Sequence, residues 1–265
     1  DLDEAAANGV RPGHGSERLW AGHMKLYADG SLGAGTALLH EPYTDEPGNT
    51  GLVVLSQAQL QEKIELGYRR GYSVGIHAIG DKAVTHCLLA IAAARKAVPG
   101  ARCDRIEHIQ IYRQEDLRLF RELGIVGSVQ PRFVSTDWNV AERRWGAARC
   151  RNGYAWRSLK DAGVPLLFGS DAPVEPMDPI LGLQAAVTRQ TPEGLPPGGW
   201  YPDQRLTLEE SLAGFTAAPA WVSGREDRVG RIRAGLWADL TVFARDLSAT
   251  PAAEWHAVPV EMTTC

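Results

Sequence analysis

The sequence predicts an α/β fold built around a parallel sheet. Three observations carry this expectation: helix-patterned stretches alternate with short β-branched runs, glycines punctuate the joins, and the runs end in polar residues. Lys25-Leu26-Tyr27, running into Asp29-Gly30, reads as the first such strand. Ser56 and Gln59 have capping-box spacing, each side chain able to satisfy the other's backbone N–H. They open a helix that carries Leu60, Ile64 and Leu66 and that Gly71 ends. Residues 72–77 form the next strand, and residues 82–98 a helix stopped by Pro99-Gly100. A strand over 105–109 precedes a helix over 115–123 that Gly124 closes. Residues 125–129 are a strand broken by Gln130-Pro131, and residues 154–162 a helix with Gly163 just past its end. Residues 164–168 are a strand leading into Gly169-Ser170-Asp171. The Pro- and Gly-rich stretch 190–204 is expected to loop over the strand ends, and Thr207 with Glu210 opens a further helix. Residues 230–232 and 238–243 read as short strands with no helix between them, hence a small β appendage.

Composition narrows the function classes. The chain has 265 residues, 44% hydrophobic and 23% charged, with a net charge of −4. That balance gives no broad basic field for nucleic acid. No apolar run approaches the roughly 20 residues that cross a bilayer. The acidic start Asp1-Leu2-Asp3-Glu4, with no apolar core after it, does not read as a signal peptide. Cys87, Cys103, Cys150 and Cys265 lie far apart and form no C-x-x-C pair, as expected of reduced thiols in a cytoplasmic protein. The expected partner is a small-molecule substrate, with neither nucleic acid nor membrane; a homo-oligomer is compatible with the sequence.

Chemistry gathers at the strand ends. His77, His108, Gln130 and Asp171 each close a strand. In a barrel of βα units such ends converge on one mouth. Two imidazoles and a carboxylate suit zinc or a similar divalent ion. Taken alone, each residue reads more simply as a hydrogen-bonded strand end or a turn; the common placement favours a joint site. Lys25 begins an apolar strand, and a lysine inside such a mouth has two main uses: a Schiff base, or a carbamate formed with carbon dioxide. Asp29, Ser31, Gln130 and Arg132 are candidate substrate contacts by the same position, with caps and supporting hydrogen bonds an equal alternative. No P-loop, G-x-S-x-G elbow or G-x-G-x-x-G is present.

Four motifs stand in one order: residues 25–33 (KLYADGSLG), 77–83 (HAIGDKA), 105–108 (RIEH) and 168–174 (FGSDAPV). Residues 185–189 (AAVTR), 206–210 (LTLEE) and 234–240 (AGLWADL) follow them. This set resembles the amidohydrolase superfamily, in the branch containing N-substituted formamide deformylase and the exoenzyme regulatory proteins. The resemblance runs from about residue 20 to residue 247.

The resemblance implies that the chain is the C-terminal part of a (β/α)8 TIM barrel, about strands 4–8, over residues 1–225, with part of a small β-sandwich over residues 226–265. It implies one or two zinc ions, Lys25 as a carbamylated bridge between them, and His77 and His108 on one ion. Asp171 would hold the other ion and shuttle the proton. The implied reaction is hydrolysis of a non-peptide C–N bond, in an N-substituted formamide or related amide, by metal-activated water. An esterase using the same centre, or a non-catalytic regulatory protein on the same scaffold, is the alternative. The superfamily's His-x-His pair is absent, and Gly35 stands where the branch would have Arg. With about five of the barrel's eight strands, the chain is expected to be incomplete and inactive alone, and to extend at both ends, further at the N-terminus.

Overall fold

The computed structural model describes residues 2–265, so Asp1 of the acidic start lies outside the described residues. In chain order the elements are α1 (Leu2–Ala7), β1 (Met24–Tyr27), α2 (Gln57–Arg69), β2 (Val74–Ala78), α3 (Asp81–Ala97), β3 (Arg105–His108), α4 (Leu117–Leu123), β4 (Val126–Val129) and α5 (Arg132–Cys150). They continue as α6 (Trp156–Asp161), β5 (Leu166–Phe168), α7 (Pro179–Thr188), α8 (Leu208–Phe215), α9 (Ala217–Val222), β6 (Leu240–Phe243) and β7 (Val260–Thr264). The fold is α/β. β1 to β5 form one sheet in sequence order, every neighbouring pair parallel, and helices connect successive strands. Among the described residues no helix is long and apolar enough to cross a membrane, and all four cysteines are free thiols.

Local chemistry explains the element boundaries. Both capping boxes form: Ser56 with Gln59 ahead of α2, and Thr207 with Glu210 ahead of α8. Four helices, α1, α5, α7 and α9, fall where no element is expected. α5 starts directly after Pro131, whose fixed φ suits a helix entry as well as a strand end. Gly146, at φ 75°, kinks α5 and interrupts its periodicity. α7 follows Asp178-Pro179, where the Asp178 side chain accepts the Ile180 N–H. The expected strand over 230–232 does not form; Ile232 is 92% exposed. β6 instead pairs antiparallel with β7.

The two faces of the sheet differ in character. Leu26, Ile76 and Ile106 pack beneath Leu60, Ile64, Val84, Leu88 and Ile91 of α2 and α3 in the main core. On the other face the register aligns Tyr27, His77, Glu107, Ser128 and Leu167 across all five strands. This row is mostly polar, and Lys25 and Tyr27 are exposed, although parallel sheets ordinarily bury both faces in apolar contacts. A second apolar cluster joins Ile180 and Leu183 of α7 to Leu247, Trp255 and Val258. The 190–204 stretch packs on α5 rather than lining the strand ends: Trp200 Nε1 donates to Glu142, and Tyr201 Oη donates to the Ala147 carbonyl. The fully buried Arg189 anchors it, donating to the carbonyls of Trp200 and Tyr154.

One backbone approach ties these layers at the strand ends. The Leu38 carbonyl accepts N–H bonds from Lys82 and Ala83, satisfying donors that the first turn of α3 would otherwise leave open. The chain comes so near that a Cβ on Gly80 would lie 2.0 Å from that carbonyl oxygen. Gly80→Ala is therefore expected to lose on the order of 3 kcal/mol of stability by overpacking, read as a lowered urea midpoint; an unchanged midpoint would show that the loop yields freely.

Candidate metal centre

The C-terminal end of the sheet gathers His77, His108 and Asp171 on three strand ends or exits, with Lys25 two register positions earlier on β1. His77 lies near the end of β2 on the polar face, its ring 5.4 Å from that of Tyr27 on β1. His108 has the opposite strand parity to Glu107 and would by alternation face the core. It escapes because β3 ends there in left-handed backbone, φ 79° at His108 and 46° at Ile109. The turn brings its ring to 4.5 Å from the His77 ring, centroid to centroid, and Phe133 of α5 stacks on it at 6.2 Å. Asp171, just past β5, is also left-handed at φ 59°. Non-glycine residues held in this region cost energy and cluster at functional sites.

Hydrogen bonds set the state of both imidazoles. His77 Nε2 donates to the Gly30 carbonyl at 2.8 Å, with Asp29 Oδ1 3.5 Å away. His108 Nδ1 donates to Gln130 Oε1 at 2.8 Å. Each ring therefore spends its N–H on a carbonyl oxygen and keeps one unprotonated nitrogen, the arrangement found in metal-ligating histidines. Burial lowers the His77 pKa, and the Lys25 charge adds to that effect. Burial, then the neighbouring His77 and Lys25, pushes His108 down to about 3. Both imidazoles are thus held neutral, the form in which they bind a metal.

The remaining candidates are distributed around this pair. Lys25 is exposed, its Nζ 5.1 Å from the Tyr27 ring centroid. Burial raises the Asp171 pKa, while Lys25 and His77 pull it down, so the lysine acts on all three partners. Among the described residues, no group of three or more His, Cys, Asp or Glu stands in position to hold a metal. The structure thus brings the two imidazoles together and leaves Asp171 outside their immediate coordination sphere. Two neutral nitrogens fit part of a divalent ion's ligand set.

The candidate substrate contacts divide. Ser31 lines a cavity of about 320 Å³ together with His77, His108 and Asp171. Asp29 is turned inward, 2% exposed, its carboxylate accepting the backbone N–H groups of Leu38, Ile79 and Gly80. Gln130 orients His108. Arg132 pairs with Glu175 at 3.4 Å. Sequence reasoning missed Gln110, Phe133 and Asp137, which also line the cavity; the i, i+4 spacing of Phe133 and Asp137 on one helical face was the available signal. A larger cavity, about 520 Å³, opens at the opposite end of the strands beside His23 and Arg105. Its lining lacks the pair of imidazoles that the smaller cavity has.

Comparison with known proteins identifies the family. A family model described as the amidohydrolase family matches residues 1–265. The protein YtcJ of Bacillus subtilis is 34% identical over 91% of the chain and 45% of its own length. The N-substituted formamide deformylase of Arthrobacter pascens is 27% identical over 86% of the chain and 41% of its own. A crystal structure of a metal-dependent hydrolase from Pyrococcus horikoshii OT3 superposes with a TM-score of 0.84 at 33% identity, covering 95% of this chain and 50% of that one. The chain spans about half the length of the relatives it matches.

The depressed His108 pKa has a stability consequence. Between pH 6.5 and about 3 the unfolded chain binds a proton at His108 that the folded chain excludes, so acidification through that window favours unfolding. Asp29 opposes it, since burial raises its pKa from 3.8 to about 7 and the folded chain holds that proton longer. The difference between wild type and His108→Asn isolates the histidine. The variant is expected to lose less stability than wild type between pH 7 and pH 4 in urea titrations; parallel pH profiles would contradict a buried neutral His108.

Proposed function

The chain belongs to the amidohydrolase family, and from that premise we propose that the whole protein is a metal-dependent hydrolase of non-peptide C–N bonds, acting on an N-substituted formamide or a related amide. The observation that carries this reading is the pair of neutral imidazoles, His77 and His108, each with its other nitrogen committed to a carbonyl oxygen. The similarity to the formamide deformylase supports the choice of bond. We read the five parallel strands as about strands 4–8 of a (β/α)8 barrel. The mostly polar row across the inner face supports this, as does the single-sided pairing of β1 and β5 within the sheet. Residues 1–225 then form the barrel part, and residues 226–265 part of a β-sandwich.

In this reading His77 and His108 hold one ion, zinc by the chemistry of the donors. Lys25, as its carbamate, supplies an anionic oxygen ligand that a neutral amine cannot. When bound, the metal supplies Lewis acidity at the substrate carbonyl and lowers the pKa of water there. The chain's own part is proton transfer and orientation. Asp171, its pKa raised by burial, accepts a proton from the attacking water and returns it to the leaving nitrogen. Gln130 and the Gly30 carbonyl hold the two rings in their ligating tautomers.

The test uses the whole protein, with metal content measured by elemental analysis and turnover followed on N-alkylformamides and matched esters. Bound zinc with formamide hydrolysis is the expected result. A metal-free protein, or a zinc-loaded one that cleaves only esters, would overturn the assignment. Lys25→Ala is expected to lose metal and activity together, with partial return on adding short carboxylic acids; normal metal content in this variant would remove the bridging role. Asp171→Asn should lower kcat by about 10²–10⁴-fold with little change in KM, and an unchanged kcat with metal present would exclude the proton shuttle.

A further inference from the structure

Beside the two imidazoles the cavity contains polar groups that the hydrolytic chemistry leaves unused. Gln110 is 3% exposed, and its side-chain Oε1 is buried with no hydrogen-bond partner while the residue lines the cavity. A buried amide oxygen left without a donor is costly unless something else supplies one. Asp137 lines the same cavity. Burial raises its pKa and the Tyr154 hydroxyl partly offsets that, donating to Oδ2 at 2.8 Å. Among the described residues no Lys or Arg pairs with Asp137, and the charge that acts on it, Glu175, has the same sign. Arg132 is already engaged by Glu175.

Tyr154 makes this a built arrangement. Its N–H donates to the Gln110 carbonyl at 2.7 Å, its hydroxyl donates to Asp137, and it is 1% exposed in left-handed backbone. One buried tyrosine therefore holds the backbone of Gln110 and the side chain of Asp137. Phe133 gives the cavity an apolar wall. Of the carboxylates in the lining, Glu175 pairs with Arg132 and Asp171 feels the Lys25 charge, which leaves Asp137 as the one with no cation acting on it among the described residues.

Resting on the hydrolase reading above, we infer that this cavity recognises the amine half of the substrate, and that it selects an acylated amine carrying a second, protonated nitrogen. The distal ammonium sits against Asp137 and donates to Gln110 Oε1, while Phe133 covers the carbon chain. An ammonium supplies both missing elements, a positive charge for the carboxylate and N–H donors for the amide oxygen. A neutral alkyl group supplies neither, leaving Gln110 Oε1 without a donor and Asp137 without a counter-charge.

The experiment compares mono-N-formylated α,ω-diaminoalkanes of three to six carbons with N-formylalkylamines of equal length, in the metal-loaded whole protein. The diamine series should have kcat/KM at least about tenfold higher at its best length, the size expected of one charged hydrogen bond. Asp137→Asn should collapse that ratio, and Gln110→Leu should reduce it. Hydrolysis of both series without preference, or a ratio unaffected by Asp137→Asn, overturns the inference and leaves the hydrolase reading intact. Hydrolysis of neither series sinks the hydrolase reading. A binding arm then decides the pocket without turnover: calorimetry with 1,4-diaminobutane and butylamine on wild type and Asp137→Asn. About tenfold weaker diamine binding in the variant, with butylamine binding unchanged, supports the inference; equal diamine binding overturns it.

Discussion

The buried carboxylate of Asp29 is the contact on which the geometry of the strand ends depends. It accepts the N–H groups of Leu38, Ile79 and Gly80, which belong to the loop after β1, the exit of β2 and the entry to α3. Three segments far apart in sequence are thereby fixed to one side chain. Its neighbour Gly30 offers the carbonyl that receives the His77 N–H, so the clamp also sets the direction of that ring. Losing the carboxylate would leave three buried donors open, each worth about 1–3 kcal/mol. That is a large share of the roughly 5–15 kcal/mol that keeps a typical domain folded. From His77 the order passes outward by contact: the His108 ring packs against it, Gln130 fixes the far side of His108, and Phe133 stacks over it.

This arrangement is stable only because unfavourable local features are offset elsewhere. His108, Ile109 and Asp171 sit in left-handed backbone without being glycine. Arg105 and Glu107 lie paired on the polar face directly beneath His77, where an apolar layer would pack better. The opposite face carries the compensating burial, with Ile64, Ile76, Val84, Leu88, Ile91 and Ile106 fully removed from solvent. Division of labour between faces is what lets one sheet hold both a core and a reactive end.

Much of this was legible in the sequence, and the failures have physical causes. Alternating strands and helices, glycine stops and two capping boxes are local signals, and the five parallel strands and both capping boxes formed where the pattern placed them. α5 was hidden because Pro131 reads equally as the end of a strand and the start of a helix, and because Gly146 breaks the helical period. The strand expected over 230–232 failed since pairing is non-local: β6 found β7, which alternation alone could not foresee. At the site, His77, His108 and Asp171 were readable as strand ends. Asp29 was read from the same position as a substrate contact, because burial of a carboxylate by three backbone donors leaves no trace in sequence. Gln110 and Asp137 escaped for the complementary reason: a turn and a helix bring them to the cavity, and a strand-end rule does not see them.

The electrostatics of the site also bear on the chemistry proposed for Lys25. As an ammonium it lowers the pKa of His77 and His108 and opposes the rise that burial causes at Asp171. The first effect suits metal binding, since it keeps the imidazoles unprotonated. The second works against proton transfer, because an acid held low is a weak base near neutral pH. Conversion of Lys25 to a carbamate reverses the sign of its charge. Asp171 would then lose the ammonium that stabilises its ionised form and face an anion, both of which push its pKa upward, while a bound cation would pull it down. The imidazoles lose the help of the ammonium but keep burial as the leading cause of their neutrality, and a bound cation opposes their protonation in its place. In the proposed carbamate form, Lys25 would thus join ligand supply to the electrostatics of Asp171: the charge there would follow the chemical state of the amine instead of being fixed by the sequence.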